Sequence, residues 1–197
     1  MTLITKKAPN FTAPAVMQNG KIIENFNLKT FIKNKTAIIF FWPLNFTFVC
    51  PTEIILFNKK YENIEKRNTK IIGISCDSVF SHQKWRSTPL KEGGIGNIKY
   101  PMVSDIKKNI MNMYDVEHPE LGVALRASFI IDKHGIIRYQ NINDLAFGRN
   151  IDEIIRMIDA IHFYEKHGEV CPAQWKKGDK GIHQTKEDVI KYLTKNF

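Results

Sequence analysis

The chain is poor in cysteine, and none of its cysteines is paired in sequence. Its 197 residues hold three, Cys50, Cys76 and Cys171. An odd number, widely spaced, argues against a disulfide framework and for a reducing compartment. There is no Cys-x-x-Cys pair, and no histidine stands at zinc-finger spacing from a cysteine, so no structural zinc site is expected. The six histidines are dispersed as well, and we expect neither metal nor cofactor. No apolar run approaches the roughly 18 residues of a membrane span. The opening Met-Thr-Leu-Ile-Thr-Lys-Lys-Ala-Pro has no apolar core and no small-residue cleavage site. It therefore reads as no secretory signal, and the expected location is cytoplasmic. Internal repeats and low-complexity segments are also missing.

A net charge of +9 invites a nucleic-acid reading. The lysines are scattered, however, and no dense basic block or basic–aromatic array occurs. The charge is read as a solvated basic surface, with no nucleic-acid partner. Hydrophobic content of 43% and charged content of 25% fit a soluble chain with a sizeable core. The length suits one domain, or one domain with a tail.

The most informative segment is Phe-Trp-Pro-Leu-Asn-Phe-Thr-Phe-Val-Cys-Pro-Thr-Glu, residues 41–53. An apolar and aromatic run ends in Thr47, two spacers and Cys50, and Pro51 and Glu53 follow as in the first turn of a helix. Proline is at home there because the first helical N–H groups lack partners, and Glu complements the positive end of the helix dipole. A thiol at a helix N-terminus has its thiolate favoured, and the thiolate is the reactive form. The pattern describes an activated cysteine.

Residues 36–42 form a continuous apolar run, which suits a strand buried on both faces. Ile54, Phe57, Tyr61 and Ile64 make a helical stripe after Cys50. Lys70–Cys76 gives a second strand, closing a right-handed strand–helix–strand unit. A helix is expected over 78–87, an irregular Gly-rich loop over 89–100 and a short helix over 105–114. Residues 126–132 and 136–142 flank Lys133-His134-Gly135, a hairpin turn. Asn150 and Glu153 open a helix whose stripe Ile151, Ile154, Ile155, Ile158, Ile161 runs to Gly168. A last helix covers 186–193. Parallel strands followed by an antiparallel pair give an α/β, thioredoxin-like fold: a mixed central sheet with helices on both faces, an N-terminal extension (1–35) and a C-terminal arm. The expected division is a thioredoxin-like core, 1–165, and an arm, 166–197.

Pro43, Thr47 and Cys50 match the Pro-x-x-x-Thr-x-x-Cys signature, and residues 40–54 resemble the active site of the typical two-cysteine peroxiredoxins. Gly168-Glu169-Val170-Cys171-Pro172 is similar to that family's resolving-cysteine motif. Further similar stretches are Arg126–Asp132, Gly93-Gly-Ile-Gly96 and Asn143–Arg149, so the resemblance spans nearly the whole chain in order. It implies a thiol peroxidase for hydrogen peroxide and alkyl hydroperoxides. Cys50 is then the peroxidatic cysteine, passing through a sulfenic acid. Thr47 donates to the peroxide, Arg126 holds positive charge beside the thiolate, and Pro43 shields the site. Glu53 matches a position that orients the active-site arginine, and Arg149 a second arginine near it. Cys171 would resolve the sulfenic acid as an interchain disulfide with Cys50 of the other subunit in a head-to-tail dimer. Thioredoxin or a flavoprotein disulfide reductase would reopen that disulfide, and five dimers would associate into a decamer. Cys76 matches no family cysteine and reads as a structural residue, and His118, His134 and His167 as surface residues.

Two other readings compete. A dithiol–disulfide oxidoreductase needs a second vicinal cysteine, which Cys50-Pro-Thr-Glu53 lacks. Some relatives act as holdase chaperones, a role that coexists with peroxidase activity and that nothing here singles out. The chain also departs from the family's commoner pattern. Trp42 and Asn45 stand where Tyr and Asp are frequent, Gly-Gly-Ile-Gly replaces Gly-Gly-Leu-Gly, and Tyr192-Leu193 replaces Tyr-Phe. The last two elements brace the folded site against the opening that resolution needs. Intermediate sensitivity to sulfinic over-oxidation is therefore expected. Mass spectrometry after graded peroxide turnover should find Cys50 sulfinate accumulating; its complete absence would contradict the expectation.

Overall fold

The computed structural model describes residues 2–197. They divide into two compact units, one running to Ile151 and the other Asp152–Phe197.

The first unit is built on a seven-stranded sheet. Its strands are β1 (Thr12–Val16), β2 (Ile22–Asn27), β3 (Thr36–Phe41), β4 (Thr69–Ser75), β5 (Met102–Ser104), β6 (Arg126–Ile131) and β7 (Ile137–Asn143), in the order β2-β1-β5-β4-β3-β6-β7. Pairing is parallel between β3 and β4 and between β4 and β5, and antiparallel elsewhere. Between the strands lie α1 (Leu28–Phe31), α2 (Cys50–Lys59), α3 (Tyr61–Glu65), α4 (Val79–Ser87) and α5 (Asn109–Met113). A mixed sheet flanked by helices is the expected thioredoxin-type layout.

Strand β3 sets the site. All six of its residues are buried, and successive side chains take opposite faces of the sheet. Ile39 and Phe41 join one cluster with Ile72, Val103, Tyr114 and Phe129. On the other face Phe40 stacks on Phe57 of α2, with ring centroids 4.3 Å apart, and meets Tyr100 edge-on at 5.7 Å. Burying such a ring is worth about 1.5–3 kcal/mol. Gly73, paired with Phe40 across the sheet, leaves room for this layer. A methyl group there would stand 2.7 Å from the Trp42 ring and 3.0 Å from that of Phe40.

Several expectations needed revision. The stripe after Cys50 is split at Lys60, whose N–H reaches back to Leu56 and Asn58 carbonyls and closes α2 before α3 begins. The helix expected over 105–114 covers only 109–113. Asp105 stays outside and uses its carboxylate to accept from the N–H groups of Ile110 and Met111, at 2.9 and 2.8 Å. The N-terminal extension supplies two strands of the sheet, β1 and β2, and β5 was not foreseen. Loop 89–100 contains one 3-10 turn, Leu90–Glu92. The 126–142 hairpin forms as expected, turning through Gly135 at φ 79°.

In the second unit, α6 (Ile151–His167) keeps the isoleucine stripe buried and stops at Gly168, φ 70°. Val170 bridges Ile182, and Thr185 caps α7 (Lys186–Asn196), none of whose residues is buried. Among the described residues no helix is long and apolar enough to cross a membrane, and no cluster of potential metal ligands occurs.

Candidate active site

Strand β3 ends at Phe41 and the chain turns through Trp42–Val49 before α2 starts at Cys50. Phe46 takes the left-handed conformation, φ 54°, uncommon for a side-chain-bearing residue, and lays its ring 5.5 Å from Trp85 of α4. The turn returns Thr47 over Cys50. Its Oγ1 is 2.9 Å from Cys50 Sγ and 2.9 Å from the Leu44 carbonyl. A hydroxyl carries one proton, so Thr47 donates to one of these acceptors at a time. Negative charge on the sulfur draws that proton towards Sγ.

The second donor to the sulfur comes from a distant strand. Arg126 opens β6, and its Nη1 lies 3.4 Å from Cys50 Sγ and 2.9 Å from Glu53 Oε2. Its Nε donates to the Leu145 carbonyl at 2.7 Å, which fixes the plane of the guanidinium. Arg149 grips the other side of Glu53. Its backbone N–H and Nε donate to Oε1 at 2.9 and 2.8 Å, and Nη2 to Oε2 at 2.7 Å. Nη1 of Arg149 also donates to the carbonyls of Phe41 and Ala127, at 2.8 and 2.7 Å, so one side chain joins β3, β6 and α2.

Cys50, Glu53, Arg126 and Arg149 are all buried. Two guanidiniums and one carboxylate leave one positive charge uncompensated, and a thiolate at Cys50 would neutralise it. Burial drives the Glu53 carboxyl towards its neutral form. The hydrogen bonds and charge of Arg149, then the charge of Arg126, outweigh this and hold it below the usual carboxylate range.

The structure thus gathers Thr47, Cys50, Glu53, Arg126 and Arg149. Pro43 is buried at the start of the same turn, with its carbonyl accepting from Cys76 Sγ at 3.6 Å. Cys76 is half-buried against the core cluster, its thiol pushed up by burial and then by the charge of Asp77. Cys171 belongs to the second unit. It is half-buried, donates to the Ala160 carbonyl at 3.7 Å, and has its thiol pushed up by burial. His134 and His167 are exposed, whereas His118 is half-buried and accepts from the N–H groups of Glu120 and Leu121. The polar group that sequence reasoning missed is His82, fully buried on α4 beside this turn. No local signal marks it, because its hydrogen-bond partners, Asn45 and the Val103 carbonyl, come from two distant segments.

The chain resembles known proteins along most of its length. The AhpC/TSA family model matches residues 4–140, and the C-terminal domain of 1-Cys peroxiredoxin matches 160–196. The chain belongs to the AhpC/TSA family. Alkyl hydroperoxide reductase C of Buchnera aphidicola subsp. Schizaphis graminum is 60% identical over 197 residues, covering 100% of both chains. Alkyl hydroperoxide reductase C of Helicobacter pylori (strain ATCC 700392 / 26695) is 50% identical, covering 98% of each. The crystal structure of reduced Plasmodium vivax 2-Cys peroxiredoxin superposes with a TM-score of 0.95 at 45% identity, over 98% of this chain and 100% of that one. As an AhpC/TSA protein the chain is a peroxidase, an oxidoreductase that works through thiol chemistry.

The charge cluster generates a prediction for stability. A carboxyl depressed by folding contributes stability that is present above its unfolded value, about 4.3, and lost as pH falls through the lower folded value. Glu53→Gln strands two buried cations and should cost about 3–5 kcal/mol at pH 7. Denaturant unfolding should show the gap to wild type closing below about pH 4. A gap that stays constant from neutral pH to pH 3 would contradict the assignment.

Proposed function

We propose that Cys50 is the peroxidatic nucleophile, Thr47 and Arg126 its activating donors, and Cys171 the resolving thiol. The observation that supports this most is the meeting of Thr47 Oγ1 and Arg126 Nη1 on Cys50 Sγ, at 2.9 and 3.4 Å. The thiolate attacks the nearer oxygen of a hydroperoxide. An S–O bond forms, the O–O bond breaks, and the departing oxygen leaves as an alkoxide or hydroxide that takes up a proton. Charge moves from sulfur to oxygen during the step. Donors already facing the sulfur can follow it without reorganising, which is where electrostatic catalysis gains most. Pro43 keeps bulk water from the sulfur, Glu53 orients Arg126, and Arg149 holds Glu53.

The product is a Cys50 sulfenic acid. Cys171 of the other subunit, carried on the arm 166–197, attacks its sulfur and expels the oxygen as water, giving an interchain disulfide. Because Cys50 is fully buried, the first turn of α2 must open before that attack. The disulfide is then reduced by thiol–disulfide exchange with thioredoxin or a flavoprotein disulfide reductase. We place the working enzyme in the cytoplasm, as a dimer that associates into a ring of five dimers. The substrates are hydrogen peroxide and alkyl hydroperoxides. A dithiol oxidoreductase is disfavoured because Glu53, bound into the arginine pair, occupies the place of a second vicinal cysteine.

Non-reducing electrophoresis after one equivalent of peroxide should give a covalent dimer in the wild type and none in Cys50→Ser or Cys171→Ser. Cys171→Ser should still consume one equivalent and trap a sulfenic acid. A dimer persisting in either variant would overturn the scheme.

A further inference from the structure

A buried polar network lies behind the Trp42–Val49 turn, and none of the steps above uses it. Its centre is Asn45, 7% exposed, midway between Pro43 and Thr47. The indole Nε1 of Trp42 donates to Asn45 Oδ1 at 3.0 Å. Asn45 Nδ2 meets Ser81 Oγ at 2.9 Å and His82 Nδ1 at 3.0 Å. The backbone N–H of Asn45 donates to Asp77 Oδ2 at 2.9 Å. Three of these contacts tie the turn to α4 and to Asp77 just after β4, and the fourth braces the turn internally.

The network determines its own protonation. An indole N–H only donates, so the carboxamide oxygen must face Trp42 and its NH2 must face Ser81 and His82. His82 Nδ1 then accepts, and the imidazole proton sits on Nε2, 3.2 Å from the Val103 carbonyl of β5. Every donor finds an acceptor only when His82 is neutral. The charged groups acting on it are Asp77, after β4, and Arg86, on its own helix. The turn offers Trp42 and Asn45, and β5 a carbonyl, all uncharged. Burial first, with Arg86 adding to it and Asp77 opposing, brings His82 down to about 4.

We propose that Asn45 is a positioning residue of the peroxidase reaction, clamping the Pro43–Cys50 turn to α4 through a neutral His82 so that Thr47 and Cys50 keep their reactive geometry. The inference rests on the peroxidase reading and deepens it. It explains why a carboxamide, rather than an acid of the same shape, serves this chain. An amide donates to the neutral imidazole and has no charge to titrate between pH 5 and 8. A carboxylate at position 45 accepts from Trp42 but needs a proton on Nδ1, and keeping the Nε2–H bond to the Val103 carbonyl as well then takes an imidazolium. Deprotonating that imidazolium would set a lone pair against the carboxylate or against the Val103 carbonyl, so the clamp loses one of its two hydrogen bonds through His82.

The test is the single-turnover rate of Cys50 oxidation by hydrogen peroxide in the reduced full-length protein, from pH 5 to 8. Thermal unfolding is recorded for each variant, and His82 is followed by nitrogen-15 NMR. Asn45→Ala should slow oxidation about tenfold or more at every pH, the scale expected when a reacting group is misplaced. Asn45→Asp should stay within about threefold of wild type at pH 5, and its rate relative to wild type should fall about tenfold by pH 8. The midpoint of that fall should coincide with a His82 titration displaced upward from its wild-type position. Adding His82→Asn, whose amide can donate to the carboxylate, should abolish the pH dependence. A folded Asn45→Ala that reacts within twofold of wild type would overturn the proposal. So would an Asn45→Asp ratio constant with pH, or a His82 titration that does not move. Should the wild type itself fail to react, the peroxidase reading falls, and the His82 titration still decides whether the clamp exists.

Discussion

One carboxylate, Glu53, holds the centre of this molecule in register. It is 3% exposed and accepts four hydrogen bonds, three from Arg149 and one from Arg126. A buried ion pair is weak support for stability, because desolvation offsets much of the attraction. Its value here is positional. Arg149 uses its remaining donors on carbonyls of β3 and β6 and so fixes Glu53 relative to the sheet. Glu53 in turn holds one nitrogen of Arg126, and that same nitrogen faces the sulfur at 3.4 Å. Without Glu53, two like charges would share a dry pocket and Arg126, held by the Leu145 carbonyl, would lose the carboxylate that aims its Nη1 at Cys50.

The fold presents this arrangement through two devices. Alternation along β3 sends Phe41 into one core cluster and Phe40 into the opposite aromatic layer, which seats α2 through Phe57. Helix α2 then begins at Cys50, so the sulfur lies at the helix end where N–H groups lack partners. Between strand and helix, the Trp42–Val49 turn is braced against α4 by the hydrogen bonds of Asn45 and by the ring of Phe46 on Trp85. In the proposed reaction, rigidity around Cys50 competes with the opening that disulfide formation demands. The polar, hydrogen-bonded character of the Asn45 brace suits that compromise, because such contacts can be exchanged for water when the turn opens.

How much of this was legible in the sequence depended on range. Strand β3 and the hairpin of β6 and β7 announced themselves through continuous apolar runs and a Gly turn. Thr47, Cys50 and Glu53 lie within six residues of one another, so helix-start chemistry alone makes Cys50 a candidate. Arg126 and Arg149 stand 76 and 96 residues from their partners in α2, and only resemblance to a family singled them out. Strand β1 is short and rich in small residues with a proline, β2 is largely exposed, and β5 has three residues, too few for a period to show. His82 was invisible for a different reason. A histidine within Ser-His-Gln-Lys looks solvated until β5 and the active-site turn close over it.

In the proposed site, Glu53 acts on the sulfur through Arg126. A double-mutant cycle on the rate of Cys50 oxidation by peroxide, using Glu53→Gln and Arg126→Lys, tests that link directly. Contacting residues that act as one unit are non-additive, so the double variant should be no slower than the slower single one. Independent penalties that multiply in the double variant would contradict it.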